Sequence, residues 1–325
     1  MQRPLALGGL DDRNLNRAIR LMALVLLIGV PLIAAMYWMD RHVDPVPSLA
    51  DRNVSAAEEA VRTNPNDLAA RNHLAAAYVS AKRYEDGIAQ FGQVLQTDPV
   101  NRAARLGRGL AYMATKQYDK GSDDFQALID GSKAGEFAVT DPQLQQAYYE
   151  LGVARNAQGR AADAIAPLQE ALEIDGGDAD ALYQFGMASI ETGDSATGVK
   201  ALTRAVTFVP SGWCEPYAGL VKGYTALGDT AGLEYAQGMV SFCGGRLDEA
   251  ATTLRALTSG PRKVDALLGL ALVAAQRGDA AAATGYYDQV LAADPSNVSA
   301  RIGLGQLGGS NAHASQPAAS AGGSN

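Results

Sequence analysis

The chain has 325 residues, a formal net charge of −8 and an isoelectric point near 5.0. A chain this acidic is not expected to bind nucleic acid, because phosphate contacts require clustered Lys and Arg side chains. Hydrophobic residues make up 47% of the sequence, which is enough for a folded interior, whereas aromatic residues make up only 6%. Ala and Gly are abundant, and such small residues favour helices that pack closely.

The first element in chain order is an apolar segment, Leu21–Trp38, in which eighteen consecutive residues carry no charge. At about 1.5 Å per residue, a helix of this length spans about 27 Å, close to the hydrocarbon thickness of a bilayer. Tyr37 and Trp38 close the segment at the depth of an interfacial aromatic belt. We therefore predict a transmembrane helix over residues 21–38 that anchors the chain in a lipid bilayer.

Charge around this segment predicts its orientation. The arginines that precede it are Arg3, Arg13, Arg17 and Arg20, and those in the twenty residues after it are Arg41 and Arg52. By the positive-inside bias, residues 1–20 form a cytoplasmic stub and the rest of the chain lies in the periplasm or at the cell exterior. A cleaved signal peptide is the alternative, with Ala34-Ala35 as its best cleavage position, although its apolar core would exceed the usual 7–15 residues.

Residues 39–50 are predicted to form a short, stiff linker, because Pro45 and Pro47 block a helix. A first helix is then expected from residue 51 to about residue 63, where Asn64-Pro65 ends it. It has no recognisable partner helix before it, so we interpret it as an N-terminal half-repeat or cap.

Beyond this helix, matching residues recur at a spacing of 34. Tyr78, Tyr84, Gly87 and Phe91 recur as Tyr112, Tyr118, Gly121 and Phe125, and Gly152 and Gly159 recur as Gly186 and Gly193. A fixed period in this range indicates stacked helical hairpins, each of which buries its apolar face only against its neighbours. We predict about six repeats plus caps over residues 51–307, followed by a disordered, low-complexity tail over residues 308–325.

The repeats combine small residues where two helices cross, large residues beside them and closing prolines. In this pattern the chain resembles the tetratricopeptide repeat family. The resemblance implies an all-α fold, a right-handed solenoid of antiparallel hairpins, here preceded by one transmembrane helix. It also implies a concave groove for peptides or partner proteins, and no activity. The dispersed His42, His73 and His313 form no metal or triad cluster, so we expect no enzyme, no catalytic residue, no metal and no cofactor.

Two stretches interrupt the period. The first is the irregular segment 131–142, and the second is a run of three predicted helices between Pro210 and Pro261, of which the one starting at Cys214 has no partner. Cys214 and Cys243 lie equally far from the turn at residues 228–229, so antiparallel helices would bring both to the same end of the pair. We predict a disulfide there, which an extracytoplasmic location would preserve. Two unrelated buried thiols are the alternative.

The first helices of the hairpins are predicted to line the groove. The candidate partner-binding residues are Asn72, Ala76, Val79, Arg102, Arg105, Leu106, Leu110 and Met113. Most of the positions on this face are small or apolar, which favours an apolar peptide or helix as the guest. Arg102, Arg105 and Arg108 form a stripe with two interpretations. It is either an anion-binding patch or a set of arginines whose heads pair with Asp123, Asp124 or Glu150.

These features predict a membrane-tethered, extracytoplasmic scaffold for protein–protein interactions. Bacterial proteins of similar layout serve in cytochrome c assembly, secretion and envelope biogenesis, so the resemblance allows a role in assembling an envelope or cytochrome complex. The alternative is an extracytoplasmic receptor for a small or polymeric ligand, such as a glycan or lipid, in the groove. Aromatic residues facing the groove in several repeats would favour that alternative, but most aromatic residues occupy positions between helices.

Overall fold

The computed structural model describes residues 12–42 and 48–314, and within these ranges all regular structure is helical. The helices are α1 (Asp12–His42), α2 (Leu49–Thr63), α3 (Leu68–Ser80), α4 (Tyr84–Thr97), α5 (Arg102–Ala114), α6 (Tyr118–Ser132), α7 (Pro142–Ala157), α8 (Ala161–Ile174), α9 (Ala179–Glu191), α10 (Ser195–Phe208), α11 (Glu215–Leu227), α12 (Thr230–Cys243), α13 (Leu247–Ala256), α14 (Lys263–Gln276), α15 (Ala280–Ala293) and α16 (Val298–Ala314). The chain divides into two compact units, residues 1–55 and 56–325. The first contains α1, and the second contains the stack from α3 onward.

Helix α1 contains a 20-residue apolar stretch, Ile19–Trp38, that is long enough to cross a membrane. None of this stretch is buried inside the protein, as expected for a membrane span or a signal sequence and not for a core helix. The helix extends beyond the predicted span at both ends and includes residues 12–20 of the predicted stub. The predicted linker prolines, Pro45 and Pro47, lie outside the described residues.

Six hairpins of consecutive helices make up the repeats: α3–α4, α5–α6, α7–α8, α9–α10, α12–α13 and α14–α15. In each, a small residue of the first helix recurs as a small residue twelve positions later in the second. At three crossings the backbones nearly touch: a Cβ built at Gly87, Gly121 or Gly198 would lie 3.1, 3.2 or 2.6 Å from a carbonyl oxygen of the partner helix. The spacing of small residues therefore sets how closely the two helices approach.

Most first helices begin at an Asp or Asn whose side chain accepts hydrogen bonds from free backbone N–H groups. These N-cap residues are Asp67, Asn101, Asp141, Asp178 and Asp229. Such caps satisfy donors that the helix itself leaves unpaired. They also place a row of polar oxygens at the start of successive first helices.

Both interruptions of the period have a clear structural form. After α6 the chain makes an irregular turn and a short 3-10 helix, Ala138–Thr140, before α7. Phe137 and Val139 in this insert are 70% and 73% exposed. The second interruption is one extra helix, α11, which packs between α10 and α12 and belongs to no hairpin. The unpaired helix predicted from Cys214 is thus present, one residue shorter at its start.

The predicted disulfide joins Cys214, just before α11, to Cys243 at the end of α12, with the two Cα atoms 5.8 Å apart. Near the end of the stack, α16 returns to contact α10. There the Ser299 hydroxyl donates a hydrogen bond of 2.9 Å to the carbonyl oxygen of Thr207, a residue 92 positions earlier. The segment α11–α16 is therefore closed by contacts distant in sequence.

One boundary differs from the sequence prediction. The low-complexity tail was expected to begin at residue 308, but α16 continues to Ala314. Extending a formed helix adds one hydrogen bond for each residue ordered, which makes such an extension less costly than a new helix. Residues 315–325 lie outside the described residues.

Candidate functional site

The arginine stripe on α5 makes its contacts within the protein. Arg102 forms an ion pair with Asp141, the N-cap residue of α7. The Arg105 guanidinium donates a 2.6 Å hydrogen bond to the carbonyl oxygen of Pro99. One repeat earlier, Arg71 donates a 2.7 Å bond to the carbonyl oxygen of Pro65. This recurrence 34 residues apart indicates that Arg105 fixes the turn before its helix.

Arg108, the third member of the stripe, binds the Asp124 carboxylate with two hydrogen bonds of 2.7 and 2.8 Å. The Asp124 residue is only 3% exposed. These hydrogen bonds raise the pKa of Arg108 above its usual value. Of the two interpretations of the stripe, the structure supports intramolecular pairing, with Asp124 and not Glu150 as the partner of Arg108.

The apolar groove candidates are also largely occupied by packing. Leu106 is only 8% exposed and lies in the core with Phe125 and Leu151, so its assignment to the groove surface is wrong. Its position faces the next hairpin, which covers it. Leu110 and Met113 pack against the same core.

In the first hairpin, Val79 lies over the helix crossing at Gly87, and Ala76 is exposed. The Asn72 amide donates a 3.2 Å hydrogen bond to the side chain of Asn101, the N-cap residue of α5. The predicted groove residues of the first two repeats therefore leave a small free surface.

Three partly exposed aromatic side chains lie one to two repeats further along, and we call them the aromatic surface: Tyr149 on α7, Tyr183 on α9 and Trp213 in the turn before α11. Tyr149 and Tyr183 are 34 residues apart and so occupy the same position in consecutive first helices. The rings of Tyr183 and Trp213 pack edge to face, with centroids 5.2 Å apart. Sequence analysis missed these residues, although the spacing of the two tyrosines was a usable signal.

Glu150 follows Tyr149 and is partly buried on the same helix. Within the described part of the chain, its carboxylate takes part in no hydrogen bond or ion pair. Burial raises the pKa of Glu150 to about 7. Burial also raises the pKa of Tyr149, and the carboxylates of Asp180, Glu150 and Asp178 raise it further. The hydroxyl of Tyr149 is therefore close to the acidic start of α9.

A second candidate site is a small cavity of about 60 Å³ inside the closed segment. It is lined by Tyr217, Tyr224, Tyr235, Arg262 and Asp265, among others. Its volume suits a few water molecules and not a larger ligand. Among residues 12–42 and 48–314, no three His, Cys, Asp or Glu side chains are placed to hold a metal ion.

Comparison with protein families decides the nature of the stack. A family model described as tetratricopeptide repeat matches residues 54–97, 75–137, 132–179 and 235–298, which together cover more than half of the chain. The chain belongs to the tetratricopeptide repeat family. The matched residues contain all or most of five of the six hairpins, and the sixth, α9–α10, has the same crossing of small residues at Gly186 and Gly198.

Several solved TPR structures are similar to the chain. YrrB, a TPR protein with an unusual peptide-binding site, has 20% identity and a TM-score of 0.49, covering 66% of this chain and 97% of its own. PilW, a type IV pilus biogenesis factor, has 20% identity and a TM-score of 0.43, covering 73% and 98%. A TPR protein from Parabacteroides merdae has 12% identity and a TM-score of 0.45, covering 85% and 97%. No protein with a curated function matches the chain.

Proposed function

We propose that this protein is a membrane-tethered TPR scaffold that binds partner proteins on the extracytoplasmic face of a membrane. The observation that carries the proposal is the presence, in one chain, of a TPR array and of an apolar helical stretch, Ile19–Trp38, that is long enough to cross a membrane. Tethering confines the groove to the membrane surface and raises its effective concentration near membrane-bound partners.

Two further features support this location. Arginines are more frequent before the apolar helix than after it, which favours a cytoplasmic N-terminus. The disulfide between Cys214 and Cys243 would persist outside the cytoplasm, where thiols are not kept reduced. In such a compartment, a scaffold of this kind would serve the assembly of an envelope or cytochrome complex.

Membrane extraction and protease access test the topology. We expect the full chain to remain in the membrane pellet after alkaline carbonate extraction, as integral proteins do. External protease added to spheroplasts should degrade the TPR array, and it should leave a cytoplasmic marker protein intact. Release by carbonate, or protection of the array until the membrane is permeabilised, would contradict the proposed location.

A second candidate function is a receptor for a glycan or lipid, and the edge-to-face pair Tyr183–Trp213 beside the groove favours it. Cross-linking in intact membranes distinguishes the two functions. If the protein is a scaffold, cross-linking should yield protein adducts. The double variant Tyr183→Ala, Trp213→Ala should yield fewer of them. The variant Phe137→Ser, in the exposed insert, is the matched control. Adducts that are unchanged in both variants would argue against a scaffold that works through this part of the groove.

A further inference from the structure

We propose that the aromatic surface (Tyr149, Tyr183 and Trp213) together with Glu150 binds an Arg or Lys side chain of an extended partner segment. This inference rests on the proposed scaffold function, and it names the chemistry of the partner. It concerns α7, α9 and the turn before α11, and not the first two repeats, whose candidate residues are engaged in internal contacts.

The arrangement of the aromatic surface follows from the repeat. Tyr149 and Tyr183 occupy equivalent positions on neighbouring first helices, α7 and α9, which contact each other. Trp213 continues the row, because its ring packs 5.2 Å from Tyr183. The next residue, Cys214, is held by the disulfide to the end of α12. The indole is thus fixed to a rigid part of the fold, which limits the entropy lost when a ligand binds.

The polar atoms of this surface are available to a ligand. Among the described residues, no hydrogen bond involves the hydroxyls of Tyr149 and Tyr183 or the indole N–H of Trp213. Each is a donor that can bind a carbonyl oxygen of an extended peptide. The Glu150 carboxylate is an acceptor without a partner, and partly buried carboxylates are destabilised until a cation or donor pairs with them.

The charge around the surface favours a cation. Gln145, one turn before Tyr149 on α7, donates a 2.7 Å hydrogen bond to Asp178 at the start of α9. Besides burial, the negative charges of Asp178 and Asp180 contribute to the raised pKa of Tyr149, and that of Glu215 contributes to the raised pKa of Tyr183. Helix α9 contains no Lys or Arg, and α7 contains only Arg155, which lies 3.9 Å from Asp163. No ion pair in the described part of the chain involves Glu150, Asp180 or Glu215.

Aromatic rings and a desolvated carboxylate together recognise guanidinium and ammonium groups, because the ring faces and the carboxylate are both negative. A neutral glycan would stack on the rings and could donate hydroxyl hydrogen bonds to Glu150, but it would leave the negative charge of the carboxylate uncompensated. An acidic segment would be repelled by the same carboxylates. A basic protein segment is therefore the occupant that satisfies every group on the surface.

The test uses the full chain in nanodiscs and a phage-displayed library of random peptides. The sequence contains only two tryptophans, Trp38 and Trp213, so the variant Trp38→Phe leaves Trp213 as the sole fluorescent reporter. We expect the selected peptides to be enriched in Arg and Lys, and we expect a selected peptide to change Trp213 emission on titration. Replacing its basic residue by Gln should weaken binding about tenfold or more.

Protein variants supply the second arm of the test. Glu150→Gln should weaken binding of the same peptide about tenfold. The matched control is Glu234→Gln, at an exposed glutamate on α12 outside the surface, which should leave the affinity unchanged. Circular dichroism and thermal unfolding confirm that each variant is folded. Because burial already favours the neutral form of Glu150, we expect the Gln variant to fold at least as well as the parent.

The outcomes are distinguishable. Selected peptides without basic enrichment, or peptides whose affinity is the same for Glu150→Gln, would overturn this inference and leave the scaffold function standing. Selection of no peptide at all, with binding on a glycan array instead, would overturn both.

Discussion

Two regions of the TPR array are built differently. From α3 to α10, each helix packs against its immediate neighbours, and the first helices α3, α5, α7 and α9 also contact one another in succession. From α11 to α16, a disulfide also joins the start of α11 to the end of its neighbour α12, and α16 returns to α10 through a contact 92 residues apart in sequence. The first region is therefore held together by the same contacts in each repeat. The second is held in addition by the disulfide and by the contact between α16 and α10.

The interiors of the two regions also contain different kinds of side chain. The core around α5–α7 consists of aliphatic side chains and Phe125. The closed segment instead buries Tyr217, Tyr224 and Tyr235, and the Arg262 guanidinium lies 4.7 Å from the Tyr224 ring centroid. Arg262 is also bonded to Asp229 at 2.8 Å. The closed segment therefore buries three tyrosines beside a polar network, whereas the α5–α7 core is apolar, with the Arg108–Asp124 ion pair beside it.

The largest effect is expected from removing the disulfide. In the chain-entropy model, opening a loop of 29 residues reduces the free energy of unfolding by about 3–4 kcal/mol. Hydrogen exchange should show lost protection in α11 and α12 and unchanged protection in α3–α6. The double variant Cys214→Ser, Cys243→Ser is the control, because a reductant should have no further effect on it. Equal loss of protection in both regions would show that the two are not separately stabilised.

A second prediction addresses the stacked region. Arg108→Met leaves the Asp124 carboxylate buried without its bidentate partner, which we expect to reduce the free energy of unfolding by about 2–4 kcal/mol. Chemical denaturation measures the loss, and hydrogen exchange should place it in α5 and α6. Adding Asp124→Leu should restore most of the stability, since the buried carboxylate, which Arg108→Met leaves with only the 3.7 Å ion pair to Arg105, is then absent. A double variant as unstable as the single variant would mean that the pair itself stabilises the repeat.

The closeness of the hairpin crossings can be tested with a single methyl group. In Gly198→Ala, the new Cβ would lie 2.6 Å from the carbonyl oxygen of Gly186. We expect a loss of about 1–3 kcal/mol in the free energy of unfolding, measured by thermal denaturation. The control is Gly285→Ala on α15, where no atom lies within 4 Å of the added Cβ. That substitution should raise stability by about 0.5–1 kcal/mol through helix propensity. Equal effects at the two sites would contradict the close crossing.

The smallest effect concerns Glu150, whose pKa burial raises to about 7. Between the ordinary glutamate pKa and this value, the folded state binds more protons than the unfolded state. Stability should therefore fall as the pH rises from about 4.5 to about 7, and stay constant above that. Glu150→Gln should be more stable than the parent by about 1–2 kcal/mol at pH 8, allowing for partial exposure, and equally stable at pH 4. A difference that does not depend on pH would contradict the shift.

Much of the fold could be predicted from the sequence, because a repeat displays its packing rule several times. The 34-residue spacing between Gly87 and Gly121, and again between Gly152 and Gly186, identified the hairpins, and the breaks in this spacing located both interruptions. The disulfide followed from symmetric spacing about one turn. The return of α16 to α10 had no sequence signal, since it depends on how the hairpins after α11 curve.

The groove surface was harder to predict. Position in the repeat shows which residues face the groove, but not which of them neighbouring helices cover. Leu106 was assigned to the surface for this reason, although the next hairpin buries it. Arg105 binds the backbone carbonyl oxygen of Pro99, and a backbone partner of this kind cannot be predicted from residue types alone. Trp213 lies in the turn before the extra helix α11, outside the repeated hairpins, so the 34-residue spacing could not predict its role.

The extra helix α11 has a directional consequence. Consecutive helices in the stack are antiparallel, so one additional helix reverses the course of every helix after it. The first helices α7 and α9 therefore run in one direction, and α12 and α14 run in the other. The positive ends of their dipoles, with caps such as Asp178 and Asp229, lie on opposite rims of the array. An extended partner that passes α11 in one chain direction would therefore meet first helices of opposite polarity before and after it.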